Sequence, residues 1–499
     1  MNRVLKLGMA LFLAMPMMSF ASKTSPDFRP LAAMIEKAKQ ATAMPTGVAI
    51  AVVRDGKVIY EGYFGLADLA AQTPVTRDTA FYIASATKPF FALLALLQEA
   101  RGKLDTGMSL QQMYPGVGFR GFDAGKVTVR DLLTHASGVD NEPLVWATAF
   151  SGIHTPTSLK ALVADSTSST DAAHGTFKYT NVGYNIVSIW MDQHTGTPWQ
   201  AHLRREIFTP LGMTHTTAYV SEAEKAGWAM ARPYSLASSQ PREPLYLSKS
   251  DDTMQAAGGM FSTAPDLARF LIAELGGSTA LPAAVIARSQ HVQVPVASTY
   301  QNFERNGYAW GWYSGTYKGQ VLLHHFGAFA GFHAHLSFMP EKGLGLVVLN
   351  NEDVLCAQTT QLIADYVYGA LLGEPDVAGK VSRRFDEVVA RAARITAAAA
   401  RQRQSIQARV WRLSQPREAY AGRYSHEQLG DLVVSLAPDG AFLLRWGRLQ
   451  AIASAGKDPD QIRAELVPGS GQFLQFAMTN GVARSVAIGS MVFHRRSSE

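Results

Sequence analysis

Cysteine is almost absent: Cys356 is the only one in 499 residues, so the chain forms no intramolecular disulfide in any compartment. Its neighbours Val354, Leu355 and Ala357 mark it as a buried structural thiol rather than a nucleophile. Charge is also sparse, at 17% of residues, and the formal net charge of +6 includes Arg3 and Lys6 of a terminal segment. With no long Lys/Arg run, nucleic-acid binding is not expected. Neither G-x-S-x-G nor H-E-x-x-H occurs, which removes two common hydrolase signatures. Beyond the N-terminal segment no apolar run is long enough to span a bilayer.

What is present is an ordered globular composition, 47% hydrophobic, with length enough for several domains. Residues 1–21 read as a secretory signal: a basic n-region, the apolar LGMALFLAMPMMSF, and small residues at Ser19 and Ala21. The apolar run is short and broken by Pro16, so cleavage is expected rather than a membrane anchor, and no cysteine follows it to carry a lipid. The expected location is periplasmic or secreted, with no integral span after cleavage.

Asp55-Gly56 joins two β-rich runs in TGVAIAVVRDGKVIYEGYFG, a hairpin signal. A helix is predicted from Ser85 through FFALLALLQEAR to Gly102, with Pro89 in its first turns, where a missing N–H costs least. Residues 103–260 alternate short helical patterns with loops, and QVLLHHFG, FHAHLSFMP and GLGLVVLNN then predict adjacent antiparallel strands. The Ala/Arg-rich stretch 380–412 lacks Gly and Pro and predicts one long helix. Its basic face suits a solvated connector or, less simply, a membrane surface. After Pro416 the pattern is β throughout, with turns at Asp439-Gly440 and Asn480-Gly481. The expected division is signal 1–21, hydrolase-like domain 27–375, helical linker 376–415 and small β domain 416–499.

Three elements carry chemistry. Ser85-Ala86-Thr87-Lys88 puts a hydroxyl and an amine three residues apart on one helical face. Desolvation among Phe90, Phe91, Leu93 and Leu94 would lower the amine's pKa and make it a base. Tyr179-Thr180-Asn181 offers a phenol able to relay a proton or be held as phenolate, and an amide for a peptide-like substrate. HHFGAFAGFHAH then concentrates four of the 13 histidines at positions 324 to 335. His324 and Phe326 point away from His325, because side chains alternate along a strand. His333 and His335 share a face and could supply two metal ligands, but no Cys or carboxylate joins them within the stretch, so no metal is expected. His135, His174 and His215 read as structural.

In this order the elements resemble the serine β-lactamase and penicillin-binding-protein superfamily, in its class C-like branch of β-lactamases, DD-carboxypeptidases, D-aminopeptidases and esterases. DLLTHASGV, LGMTHT, AAGGMFSTAPDLARF and HFGAFAGF followed by FMPEKGLGLVVLNN carry the likeness over residues 30–375. The resemblance implies an α/β (α+β) fold: an antiparallel sheet flanked by helices, plus a mostly helical subdomain. It implies Ser85 as acylated nucleophile, Lys88 as its base, Tyr179 as general acid/base and Asn181 as a contact to the substrate amide. His325-Phe326-Gly327 stands where many relatives carry K-T-G, with His325 and Gly327 as substrate-binding positions and the backbone N–H groups of Ser85 and Ala328 as an oxyanion hole. Histidine for lysine removes a fixed positive charge, and Phe326 removes a hydroxyl, which shifts the expectation from penicillin hydrolysis toward ester or D-amino-acid peptide cleavage. The alternative is a β-lactamase, or a non-catalytic penicillin-recognising or sensory protein. No cofactor is implied; the partner is a small-molecule or peptide substrate, and oligomeric state is open.

Overall fold

The computed structural model describes residues 26–496, so the signal segment lies outside the described residues. Its centre is an eight-stranded antiparallel sheet. In chain order the strands are β1 (Val48–Arg54), β2 (Lys57–Phe64), β3 (Val294–Tyr300), β4 (Phe303–Tyr308), β5 (Tyr313–Tyr317), β6 (Gln320–Phe329), β7 (Phe332–Met339) and β8 (Leu344–Asn350). Their spatial order is β2-β1-β8-β7-β6-β5-β4-β3. The Asp55-Gly56 hairpin is present, with both residues at positive φ (51° and 72°), as a two-residue primed turn requires.

Alternation along these strands builds two cores. Val48, Ile50, Val52, Leu346 and Val348 face one side, where they meet helices α1 (Arg29–Thr42), α5 (Cys356–Leu371) and α6 (Val377–Gln407). Ala49, Ala51, Val53, Leu336, Val347 and Leu349 face the other, against α2 (Lys88–Ala100) and α4 (Ala264–Glu274). The small alanines of β1 let α4 approach the sheet closely. The helical subdomain between the two halves of the sheet includes α3 (Val182–Thr195), and β6 packs against the Ala84–Thr87 turn that leads into α2.

The long Ala/Arg-rich helix is observed as α6, but it is more than a solvated connector. Val381 and Phe385 are 3% exposed and pack into the core behind the sheet. After it, nine antiparallel strands between Gly422 and Arg495 form a sheet that nearly closes on itself, since its first and last strands in spatial order are separated only by Ala453. This β domain docks on the helical subdomain through Trp446 stacked on Trp146 (5.4 Å between ring centres) and the Arg448 N–H donating to the Ser151 carbonyl (3.1 Å). No helix among the described residues is long and apolar enough to cross a membrane.

Candidate active site

Ser85 does not open the α-helix directly. It sits in a 3₁₀ turn, Ala84–Thr87, that feeds α2, with Pro89 in the first turn where its missing N–H breaks no bond. Ala84 holds a left-handed φ of 45°, uncommon for a residue with a Cβ and typical of geometry kept for function. The Ile83 N–H donates to Met260 O (3.0 Å) and ties the turn to the 254–262 segment. Ala84, Ala86 and Thr87 are buried while Ser85 remains part-exposed.

Lys88 is wholly buried, and its Nζ has three neighbours: Ser85 Oγ at 3.0 Å, Asn181 Oδ1 at 2.8 Å and the Ala257 carbonyl at 2.7 Å. Burial drives its pKa well below that of an ordinary lysine. A neutral amine has two N–H bonds and one lone pair. Asn181 Oδ1 and the Ala257 carbonyl are pure acceptors and take the two N–H groups, which leaves the lone pair for the Ser85 hydroxyl proton. The geometry thus sets Lys88 as a base toward Ser85.

Tyr179 lies beside this pair, its ring centre 4.7 Å from Lys88 Nζ. Burial raises the phenol's pKa well above its ordinary value, and a hydrogen bond with Ser85 offsets only part of the rise. The phenol therefore stays protonated, which favours the proton relay over a standing phenolate. His135 fixes this loop from below: its Nδ1 accepts from the Thr180 N–H (3.3 Å) and its carbonyl accepts from the Lys178 N–H (2.8 Å). With Nδ1 accepting, Nε2 carries the hydrogen and donates to the Tyr308 hydroxyl (3.1 Å). Burial keeps His135 neutral.

The β6 wall is built around Gly327. A Cβ at this position would lie 1.9 Å from the Ile83 carbonyl oxygen and 3.0 Å from Ala86 N, so only glycine lets the strand press against the nucleophile turn. Ala328 follows at an exposed position. His325 lies on the same sheet face as Gly327, but its side chain is 0% exposed, enclosed by the rings of Tyr179, Tyr308 and Tyr313. The side chain expected to bind substrate thus has no exposed surface in this structure. Its Nδ1 meets the Phe326 carbonyl at 2.7 Å and donates to it, and burial holds the ring neutral. Phe326 lies on the opposite face, stacked on Tyr300 at 4.4 Å.

The other histidines of the stretch line the far face and serve the core. His324 Nε2 accepts from Arg305 (3.3 Å), His333 pairs with the Tyr300 hydroxyl (3.2 Å) and His335 with Ser337 (2.8 Å). No group of three His, Cys, Asp or Glu side chains among the described residues is arranged to hold a metal ion. His174 bonds Asp131 (3.1 Å), and His215 packs on Trp228.

Ser85 and Lys88 from one stretch and Tyr179 and Asn181 from a second thus meet at one point, with Gly327 of a third against the Ser85 turn. The sequence reading did not single out the Ala257 carbonyl or Ala84. Ala257 lies in the AAGG segment, where two glycines in a row were the available signal of close backbone approach. A family model described as Beta-lactamase matches residues 31–362. The chain belongs to the beta-lactamase family. Among relatives, unguisins hydrolase ungD of Aspergillus violaceofuscus is 27% identical over 338 residues, covering 61% of this beta-lactamase-family chain and 58% of that protein. The chain therefore spans less than two thirds of that relative's length. The octameric penicillin-binding protein homologue of Pyrococcus abyssi shares the fold at TM-score 0.61 and 22% identity, over 94% of this chain and 99% of that one. The D-amino acid amidase of Ochrobactrum anthropi SV3 shares it at TM-score 0.52 and 24% identity, over 65% and 93%. Ser85, Lys88, Tyr179, Asn181 and Gly327 all lie within the residues that the family model matches.

Proposed function

We propose that the protein hydrolyses an ester or a D-amino-acid-type amide through an acyl-enzyme on Ser85. The observation that carries this reading is the wholly buried Lys88 amine, held by two obligate acceptors and 3.0 Å from the Ser85 hydroxyl. Ser85 Oγ attacks the carbonyl carbon as its proton passes to Lys88 Nζ, and the oxyanion is received by the Ser85 and Ala328 N–H groups. The bond to the leaving group breaks, and the leaving atom takes a proton through Tyr179. Water, deprotonated along the same path, then releases the acid and restores Ser85. Asn181 holds the amine and presents its NH₂ to the substrate.

The preference for esters and D-amino-acid-type amides over lactams rests on β6. A buried neutral His325 and a stacked Phe326 leave no fixed positive charge or hydroxyl on that strand for a substrate carboxylate. The shared fold of a D-amino acid amidase, at 24% identity, supports this reading. The apolar leader at residues 1–21 supports a periplasmic or secreted location. The test is a parallel panel of p-nitrophenyl acetate and butyrate, D-alanine p-nitroanilide, a D-alanyl-D-alanine peptide and a chromogenic cephalosporin. The reading predicts the highest kcat/KM on an ester or D-amino-acid amide; a cephalosporin ahead of all others would overturn it.

A further inference from the structure

The positive charge of this chain is not spread over its surface. Helix α6 alone carries seven basic and two acidic side chains, against a formal +6 for all 499 residues. Lys380, Arg383, Glu387, Arg391 and Arg394 recur at three- and four-residue spacing, Arg401 follows two turns further on, and all are exposed, so they form one stripe along the helix. Its 21 residues of rise span about 31 Å. None of the five cations forms an ion pair among the described residues, whereas Arg384, at the stripe's inner margin, is paired with Asp365. Charges of one sign are thus held in a row with a single acid among them, a costly arrangement for a face that only meets water.

Beside the stripe runs a groove of about 700 Å³, lined by Gln301, Gln358 and Gln361 on one side and by Arg384, Glu387, Arg391 and Arg394 of α6 on the other. The Gln361 amide is engaged by Tyr317 and Asp365, and Arg384 is paired with Asp365, so the guanidinium groups of Arg391 and Arg394, against the one Glu387 carboxylate, are what the groove offers a chain of anionic oxygens. The lining contains no aromatic ring on which a nucleobase could stack. The helix positions exposed beside the stripe are Asp386, paired with Lys37, and Ala390, Ala393 and Ala397, with no bulky apolar side chain to insert into a bilayer, and a flat membrane cannot enter a recess.

We infer that the α6 stripe and its groove bind a linear polyanion, an extended chain of phosphate or carboxylate groups. Because α5 and α6 pack on the face of the sheet opposite α2 and Ser85, the bound polymer tethers the enzyme without occupying the cleft.

The test uses the whole protein and a fluorescent inorganic polyphosphate a few tens of units long, followed by anisotropy across a salt series. Binding should weaken linearly in log K against log salt, as multiple counterions are released. Arg391→Gln/Arg394→Gln should weaken binding at least tenfold and flatten that slope. Lys57→Gln/Arg484→Gln, which removes two exposed charges elsewhere, should leave both unchanged. Ester hydrolysis by the wild type should be unaffected by saturating polyphosphate. The inference is overturned by absence of binding, by equal loss in the two double variants, by competitive inhibition of hydrolysis, or by binding to phosphatidylglycerol vesicles without binding to polyphosphate.

Discussion

Replacing Gly327 with alanine is the smallest change that bears on the oxyanion wall. The added methyl would begin 1.9 Å from the Ile83 carbonyl oxygen, and that oxygen and the next nearest atoms, Ile83 C and Ala86 N, belong to backbone rather than to a pliant side chain. Reaching a tolerable contact requires the β6 backbone to retreat by roughly 1 Å or more, in a region packed to crystal-like density. The next residue is Ala328, whose N–H is one of the two proposed oxyanion donors. A 1 Å misplacement costs about 10²-fold in rate, and loss of one oxyanion donor costs about 10²–10³-fold in kcat. Overpacking of this kind also costs about 1–3 kcal/mol of stability, which shifts Tm by only a few degrees in a protein this large. The assay is kcat and KM on p-nitrophenyl butyrate beside a thermal melt. The expected result is kcat down by about two to three orders of magnitude with a folded protein. A Gly327→Ala enzyme with wild-type kcat would refute the placement of β6 against the nucleophile turn.

Four further outcomes follow from the same geometry. Lys88→Arg puts a permanently charged guanidinium with no basic lone pair in place of the neutral amine, so kcat/KM on an ester should fall by about 10²–10⁴-fold, as for loss of a general base; a tenth of wild-type activity would contradict the base assignment. The rate–pH profile should be bell-shaped. Its acid limb marks Lys88 taking up a proton at a pKa well below ordinary lysine, and its alkaline limb marks Tyr179 losing one well above ordinary tyrosine. An unshifted lysine would be neutral in only about one molecule in 2,500 at pH 7, so a profile still rising at pH 9 would refute the shift. His135→Phe removes the bonds to Thr180 and Tyr308 while filling the space, and should lower kcat by about 10²-fold with KM little changed. Lys249 is 8% exposed and its pKa is lowered to about 7 by burial. The folded state therefore binds fewer protons than the unfolded chain between that value and the ordinary lysine pKa, so stability from this group is lost as pH falls through that window. The Tm of Lys249→Met relative to wild type should rise as pH falls from 10 to 7 and level off below; a pH-independent difference would contradict the burial of the amine.

The parts of the site that were legible in the sequence are those fixed by local spacing. Ser85 and Lys88 are three residues apart in a helical pattern, and period-two alternation already separated His325 from His324 and Phe326. The DG and NG hairpins were readable for the same reason. What could not be read depends on contacts between distant segments. Nothing local to Ala257 marks its carbonyl as a partner of Lys88, and no propensity puts Ala84 in a left-handed conformation. That His325 lies beneath three tyrosine rings also follows only from the packing of β4 and β5 against the Tyr179 loop. Helix α6 was visible as a helix, but its role behind the sheet was not, because its apolar face is diluted by alanine. The buried positions Val381 and Phe385 acquire meaning only once α1 and α5 are in place.

The central claim is that Ser85 is acylated because Lys88 accepts its proton. Peptide-resolved mass spectrometry after brief exposure to a fluorophosphonate tests it directly, with Lys88→Met run in parallel. The account predicts one adduct, on Ser85, forming on the wild type and at least 10²-fold more slowly on the variant. A folded wild-type protein with no adduct on Ser85, or one labelled equally fast without Lys88, would contradict it.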